Sequence, residues 1–233
     1  MTDIFFMTLT PYLNRSCSSG FMYSGKSMAA HVALPNRFVI TVSNTAVPTV
    51  SAIVSCGAVP VFVDVDSESY LMSIEQVEGR ISSKTKVILP VHLYGQAVQI
   101  EELRPLAKRY NLKIIEDCAQ AHGASRGEIK CGALGDMGVF SFYPTKPLGG
   151  YGDGALISVN SSDDAEKLES LRFYGMEKTY YAKRHGYNSR LDEVHAEILR
   201  AKLCRLDTYN HRRREIAARY NRELADTELT LPI

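Results

Sequence analysis

The chain has 233 residues, enough for one substantial hydrophobic core or two modest ones. Its 45% hydrophobic and 23% charged content is that of an ordinary globular protein, and 27 basic against 26 acidic residues leave a net charge of +1. That balance excludes an electrostatic case for nucleic acid or an anionic membrane, and the basic run His211-Arg212-Arg213-Arg214 reads as the solvated face of a helix.

Residues 1–36 mix small, polar and apolar side chains without a sustained period, and are expected to pack irregularly or remain partly disordered. Phe5-Phe6-Met7 is too short for a signal-peptide core, and no later run approaches membrane-spanning length, so a cytoplasmic protein is expected. From residue 38 onward strand and helix signals alternate. Residues 38–42 are β-branched and apolar, and 45–56 place Val47, Val50, Ile53 and Val54 at helical spacing. Residues 59–63 read as a buried strand stopped by Asp64 and Asp66, and Ser73-Ile74-Glu75-Gln76 fits a capping box opening a short helix. A strand over 86–91, a helix over 100–110 and a strand over 113–116 follow. Strands over 137–140 and 155–159, a helix over 163–173, and one long charged helix from 192 to about 225 complete the reading. Such alternation predicts an α/β fold of three layers, a mainly parallel sheet covered by helices on both faces. Three regions follow: an atypical segment 1–36, a core 37–190, and the helical segment 191–233.

Five cysteines (Cys17, Cys56, Cys118, Cys131, Cys204) lie far apart with no C-x-x-C pair, which argues against a zinc site and a disulfide framework. His122 has no partner at ligand spacing and reads as a hydrogen-bonded structural histidine, so no metal ligand is assigned. The glycines between 149 and 154 lack the spacing of a dinucleotide fingerprint and precede a strand rather than a helix. They read instead as a tight backbone turn.

The chemistry concentrates between residues 116 and 154. Asp117 ends one apolar strand, Ser141 ends the next, and Lys146 follows in a loop constrained by Pro144 and Pro147. In an α/β sheet, ligands collect at the carboxyl ends of strands. An acid, a hydroxyl and a lysine there suit a cofactor with a pyridine ring, a phosphate and an aldehyde, namely pyridoxal 5′-phosphate (PLP). Asp117 would pair with the ring nitrogen, Ser141 with the phosphate, and Lys146 would form the Schiff base and then act as general acid and base. Gln120 is placed to hydrogen-bond the phenolic oxygen. Read singly, Asp117 and Gln120 are equally ordinary turn residues and Lys146 an ordinary surface lysine; the combination carries the assignment.

From about Phe38 onward, the chain also resembles the DegT/DnrJ-type nucleotide-sugar aminotransferases, PLP enzymes of the aspartate-aminotransferase fold (fold type I). The matching pieces are Val61-Phe62-Val63-Asp64-Val65-Asp66, Pro90-Val91-His92-Leu93-Tyr94-Gly95-Gln96, the motifs at 116–123, 141–146 and 149–154, and His185-Gly186-Tyr187-Asn188-Ser189-Arg190-Leu191-Asp192-Glu193. The resemblance implies that Lys146 is the Schiff-base lysine, Asp117 the pyridinium partner, Gln120 a neighbour of the ring and Ser141 a phosphate ligand. It implies that Asn188 reaches the phosphate across the interface of a homodimer. Tyr174-Gly175 and Tyr187-Asn188-Ser189-Arg190 are most similar to enzymes aminating C3 of a dTDP-3-keto-6-deoxyhexose, with glutamate as the implied donor. Lysine rather than histidine at 146 favours amination over dehydration. The chain departs from the pattern in three places. No Gly-Thr phosphate pair precedes Phe38, Gly25-Lys26-Ser27 being the nearest approach, and Pro147 stands where asparagine is common. Relatives also continue past the position of Ile233 into a smaller domain. The expectation is a truncated large domain, either working as a transaminase or persisting as a non-catalytic remnant that binds PLP weakly or associates with other subunits.

Overall fold

The computed structural model describes residues 20–23 and 36–231. Seven strands form one sheet: β1 (Gly20–Tyr23), β2 (Phe38–Val42), β3 (Val59–Val63), β4 (Thr85–Ile88), β5 (Lys113–Asp117), β8 (Met137–Ser141) and β9 (Ala155–Val159). Two small antiparallel pairs lie outside it, β6 (Ser125–Arg126) with β7 (Ile129–Lys130), and β10 (Met176–Lys178) with β11 (Tyr181–Ala182). The sheet order is β1-β9-β8-β5-β4-β2-β3. Neighbours from β3 to β8 run parallel, and β9 runs antiparallel to both β8 and β1. The mainly parallel sheet expected from the alternation is therefore present. Edge strand β1 lies in the segment read as irregular, and the rest of that segment, including Cys17 and Gly25-Lys26-Ser27, lies outside the described residues.

Helices cover both faces. In β8 and β9, Val139 pairs with Ile157 while Phe140 pairs with Leu156, so successive residues face opposite sides. Val139, Ile157 and Val159 bury against Ala165 and Leu168 of α4 (Ser162–Arg172). Leu156 and Phe142 bury against Leu199 of α5 (Glu193–Leu203) and Leu206 of α6 (Leu206–Leu224). Because both faces are dry, these strands read as continuous apolar runs instead of alternating ones. The three remaining helices are α1 (Val47–Ser55), α2 (Ile74–Val77) and α3 (Ile100–Tyr110). In α3, Ile100, Leu103 and Ala107 are buried, Glu101 and Glu102 open the helix and Lys108 and Arg109 close it, matching the sign of its dipole. Asn111, in the left-handed region at φ 53°, ends it.

Three expectations are corrected. The strand expected over 86–91 stops at Ile88, since Pro90 has no N–H to continue the ladder, and pairing resumes only at a Val91–Asp117 bridge. Ser73 does precede a helix, but its side chain makes no cap; Gln76 instead accepts the Asp64 N–H at 3.1 Å. The single helix expected from 192 to about 225 is two helices. At the break, Arg205 has φ −110° and ψ 0° and its N–H bonds back to the Lys202 carbonyl. No glycine or proline announces it. The direction of each helix is set by docking, Leu199 and Leu206 onto Phe142 and Leu156, and Asn210 onto the His122 carbonyl at 2.8 Å. Each buried leucine contributes roughly 1.5–3 kcal/mol, more than the hydrogen bond or so lost at a break.

Candidate functional site

Asp117 occupies the carboxyl end of β5 and is 6% exposed. Its backbone is held on both sides, the N–H by the Pro90 carbonyl at 2.9 Å and the carbonyl by the His92 N–H at 3.0 Å. The carboxylate is fixed as firmly. The Thr49 hydroxyl donates to Oδ2 at 2.7 Å and the Ala119 N–H to Oδ1 at 3.0 Å. Thr49 lies in the first turn of α1, where Pro48 pre-sets the backbone for a helix, and Thr45 lies 2.8 Å from its oxygen. Because the Thr49 proton goes to the carboxylate, Thr45 is the donor in that pair. Each carboxylate oxygen accepts about two hydrogen bonds, so among the described residues one acceptor position stays open on each.

The preceding residue anchors the opposite face of β5. Glu116 and His92 are both 0% exposed, with His92 Nε2 2.8 Å from Oε2 of Glu116. His92 Nδ1 accepts the Val98 N–H at 3.0 Å, so Nε2 carries the proton and donates. Gly132 and Gly135 donate their N–H groups to the same carboxylate at 2.8 and 2.6 Å. Ligand atoms of His92, Glu116 and Cys118 come within 4.8 Å of one another. The set is nevertheless committed to internal hydrogen bonds, and burial pushes the Cys118 thiol well above its ordinary range, against the thiolate a metal would need.

Ser141 and Lys146 come from the adjacent strand and its loop. Asp117 pairs with Val139 in parallel register, so Ser141 lies two residues further along on the same face. The Ser141 oxygen accepts the Tyr143 N–H at 3.3 Å, which leaves its proton free to donate. Lys146 is half-buried, and its N–H bonds to the Tyr143 carbonyl at 2.9 Å. The loop then folds on itself: Gly150 N–H meets the Phe142 carbonyl, and Phe142 N–H the Gly154 carbonyl, each at 2.7 Å. Glycine is required at 149, where a Cβ would fall 2.3 Å from the Pro144 carbonyl oxygen. Lys202 of α5 donates to the Gly149 carbonyl and so pins the loop.

Gln120 accepts the Tyr94 N–H at 2.8 Å, with Tyr94 in the left-handed region at φ 57°. That bond fixes which way the amide points and leaves its NH2 available to donate. Asn188 lies in the segment that follows the β10–β11 pair. It is exposed, bridges to Phe173 beyond α4, and accepts from Arg190 Nε at 3.1 Å. The expectation for His122 is corrected: both ring nitrogens are buried, and among the described residues neither has a partner at full hydrogen-bond geometry. The ring lies between Phe140 and Phe142, at 5.5 and 5.8 Å between centroids. Burial pushes its pKa down to about 4; the Ser141 carbonyl opposes this, and the Lys146 and Arg213 charges add to it. Reading the sequence for motifs missed Thr49, Thr45 and Lys202, which lie outside the acid–serine–lysine run, and the pairing of His92 with Glu116, whose partners stand in two separate motifs.

With these residues placed, comparison with known proteins decides the family. Residues 15–233 match the model of the DegT/DnrJ/EryC1/StrS aminotransferase family. The chain belongs to that family. It is 56% identical over 200 residues to the dTDP-3-amino-3,4,6-trideoxy-alpha-D-glucose transaminase of Micromonospora megalomicea, covering 84% of this chain and 54% of that one. Among solved structures it is similar to S. venezuelae DesV in complex with a ketimine intermediate, with a TM-score of 0.84 and 40% identity over 89% of this chain and 57% of that one. It is also similar to NtdA from Bacillus subtilis with bound cofactor PMP, with a TM-score of 0.82 and 30% identity over 89% and 49% of the two chains. The chain thus spans about half the length of the relatives it matches, and its fold is that of these fold type I aminotransferases. Among the described residues no helix is long and apolar enough to cross a membrane.

Proposed function

We propose that this chain is the cofactor-binding core of a PLP-dependent aminotransferase that aminates a nucleotide-linked keto-sugar. The observation that carries the reading is the Asp117 carboxylate, buried at a strand end, oriented by Thr49 and Ala119, and among the described residues open to one further donor on each oxygen. The donor set fits PLP group by group. Asp117 would accept a hydrogen bond from the protonated ring nitrogen, and its negative charge would keep the proton, and so the positive charge, on that nitrogen. Gln120, with its carbonyl committed to Tyr94, donates its amide hydrogens toward the phenolic oxygen. The Ser141 hydroxyl would donate a hydrogen bond to the phosphate. When bound, PLP supplies an electron sink for the charge left when a substrate carbon loses its proton. Lys146 Nζ would take that proton and return it, and the Pro144–Gly149 contact and the Lys202 bond hold its loop in place.

The finer assignment extends the same reading. The substrate is a dTDP-linked 3-keto deoxyhexose, a reading supported by the name of the 56%-identical transaminase, with glutamate as the donor that the family resemblance implies. Asn188, exposed in its own chain, serves the phosphate site of a second copy in a homodimer. The test is to incubate the chain with PLP, reduce with borohydride and map the added mass. The label is expected on Lys146 alone. Equal labelling of a Lys146→Ala variant would refute the assignment. Mixing Lys146→Ala with Asn188→Ala chains tests the shared site, since only a mixed dimer regains one intact site and with it amination of the dTDP-keto-sugar. No recovery on mixing, with both variants folded, would refute the homodimer.

A further inference from the structure

On the sheet face opposite Asp117, a cavity of about 150 Å3 lies between β8–β9 and the α5–α6 pair. Its walls are apolar, built from Phe140, Phe142, Cys131, Leu203 and Leu206 among others. His122 breaks that pattern. It lines the same cavity and is 5% exposed, and among the described residues neither ring nitrogen has a partner at full hydrogen-bond geometry, the Ser141 carbonyl being the one acceptor that acts on the ring. Unpaired polar groups are unfavourable and uncommon in protein interiors, so the imidazole has the look of a group awaiting a ligand. The polar neighbours do not satisfy it. Ser158 Oγ is turned to the Gly132 and Gly138 carbonyls, and Asn210 bonds the backbone of His122 instead of its ring.

The chemistry of an occupant follows from the walls. A cavity of this volume, lined by aliphatic and aromatic side chains, holds a molecule the size of benzene. A neutral imidazole presents one N–H donor and one acceptor nitrogen, so the ligand needs a single group able to pair with either. Lys130 lines the cavity, and the Lys146 and Arg213 charges already act on His122, so a cation is disfavoured. Apolar walls equally disfavour a carboxylate or phosphate, whose hydration they do not replace. We propose that this cavity binds a neutral single-ring phenol, its ring against Phe140 and Phe142 and its hydroxyl on His122.

The experiment uses the full chain with 15N-labelled histidine, titrated with p-cresol and with toluene, which has the same ring and methyl group but no hydroxyl. p-Cresol is expected to shift one His122 ring nitrogen saturably. Toluene should bind about fivefold more weakly without that shift, the worth of one neutral hydrogen bond. Ala133→Leu, which fills the cavity from its wall, should abolish p-cresol binding while the His92 ring nitrogens, reporters of the folded core, stay in place. Equal affinity for toluene and p-cresol would overturn the proposal, as would p-cresol binding that survives Ala133→Leu. A His122 ring that p-cresol does not move would overturn it too, and would leave the cavity a water site.

Discussion

Thr49→Val tests how the site acid is held. The substitution preserves the shape of the side chain and removes only the hydroxyl that donates to Asp117 Oδ2 at 2.7 Å, between two groups that are 2% and 6% exposed. No cavity forms, so the loss is that of a hydrogen bond to a charged group, about 1.5–3 kcal/mol. For a chain of this length that corresponds to a fall in melting temperature of roughly 3–12 °C. A second substitution isolates the charge. In an Asp117→Asn background the acceptor is a neutral amide oxygen, and Thr49→Val should then cost only about 0.5–1.5 kcal/mol. The four proteins of this cycle are compared by urea denaturation at pH 7. If Thr49→Val costs the same in both backgrounds, Thr49 does not support the Asp117 charge, and its bond is an ordinary core contact.

Glu116→Gln places an amide where three donors converge, from His92, Gly132 and Gly135, and should destabilise the chain by about 3 kcal/mol or more, measured by the same denaturation. His122 gives a pH dependence of known sign. Its folded pKa of about 4 lies below the ordinary histidine value of about 6.5, so the unfolded chain binds the extra proton and stability is lost as pH falls through that window. The loss between pH 7 and pH 5 should be about 2 kcal/mol more in the parent than in His122→Phe; equal slopes would show that His122 is not held neutral. Lys202→Met removes the donor to the Gly149 carbonyl, and amide exchange at Gly149, Gly150 and Gly152 should accelerate at least tenfold while exchange in β5 stays unchanged.

The division between what was legible in the chain and what was not follows the range of the forces involved. Strands β2, β3 and β9 and helix α3 were legible to within a residue because their determinants are local, β-branched apolar runs and a 3.6-residue stripe ended by Asn111. The order Asp117, Gln120, Ser141, Lys146 was equally legible, since a parallel sheet brings successive strand ends to one edge whatever the details of packing. Edge strand β1 was not, because Gly-Phe-Met-Tyr becomes a strand only by pairing with β9, more than a hundred residues later. The break before α6 has the same origin, no local breaker and a bond from Asn210 to a residue 88 positions upstream. Composition and local pattern therefore determined the fold class and pointed to the residues proposed for the site. Tertiary structure alone decided how those residues are held, with Thr49 on Asp117, His92 on Glu116, Lys202 on the glycine loop and His122 buried between Phe140 and Phe142. A hydrogen bond between distant positions leaves no periodic trace in the sequence, and its partners become neighbours only once the sheet has assembled.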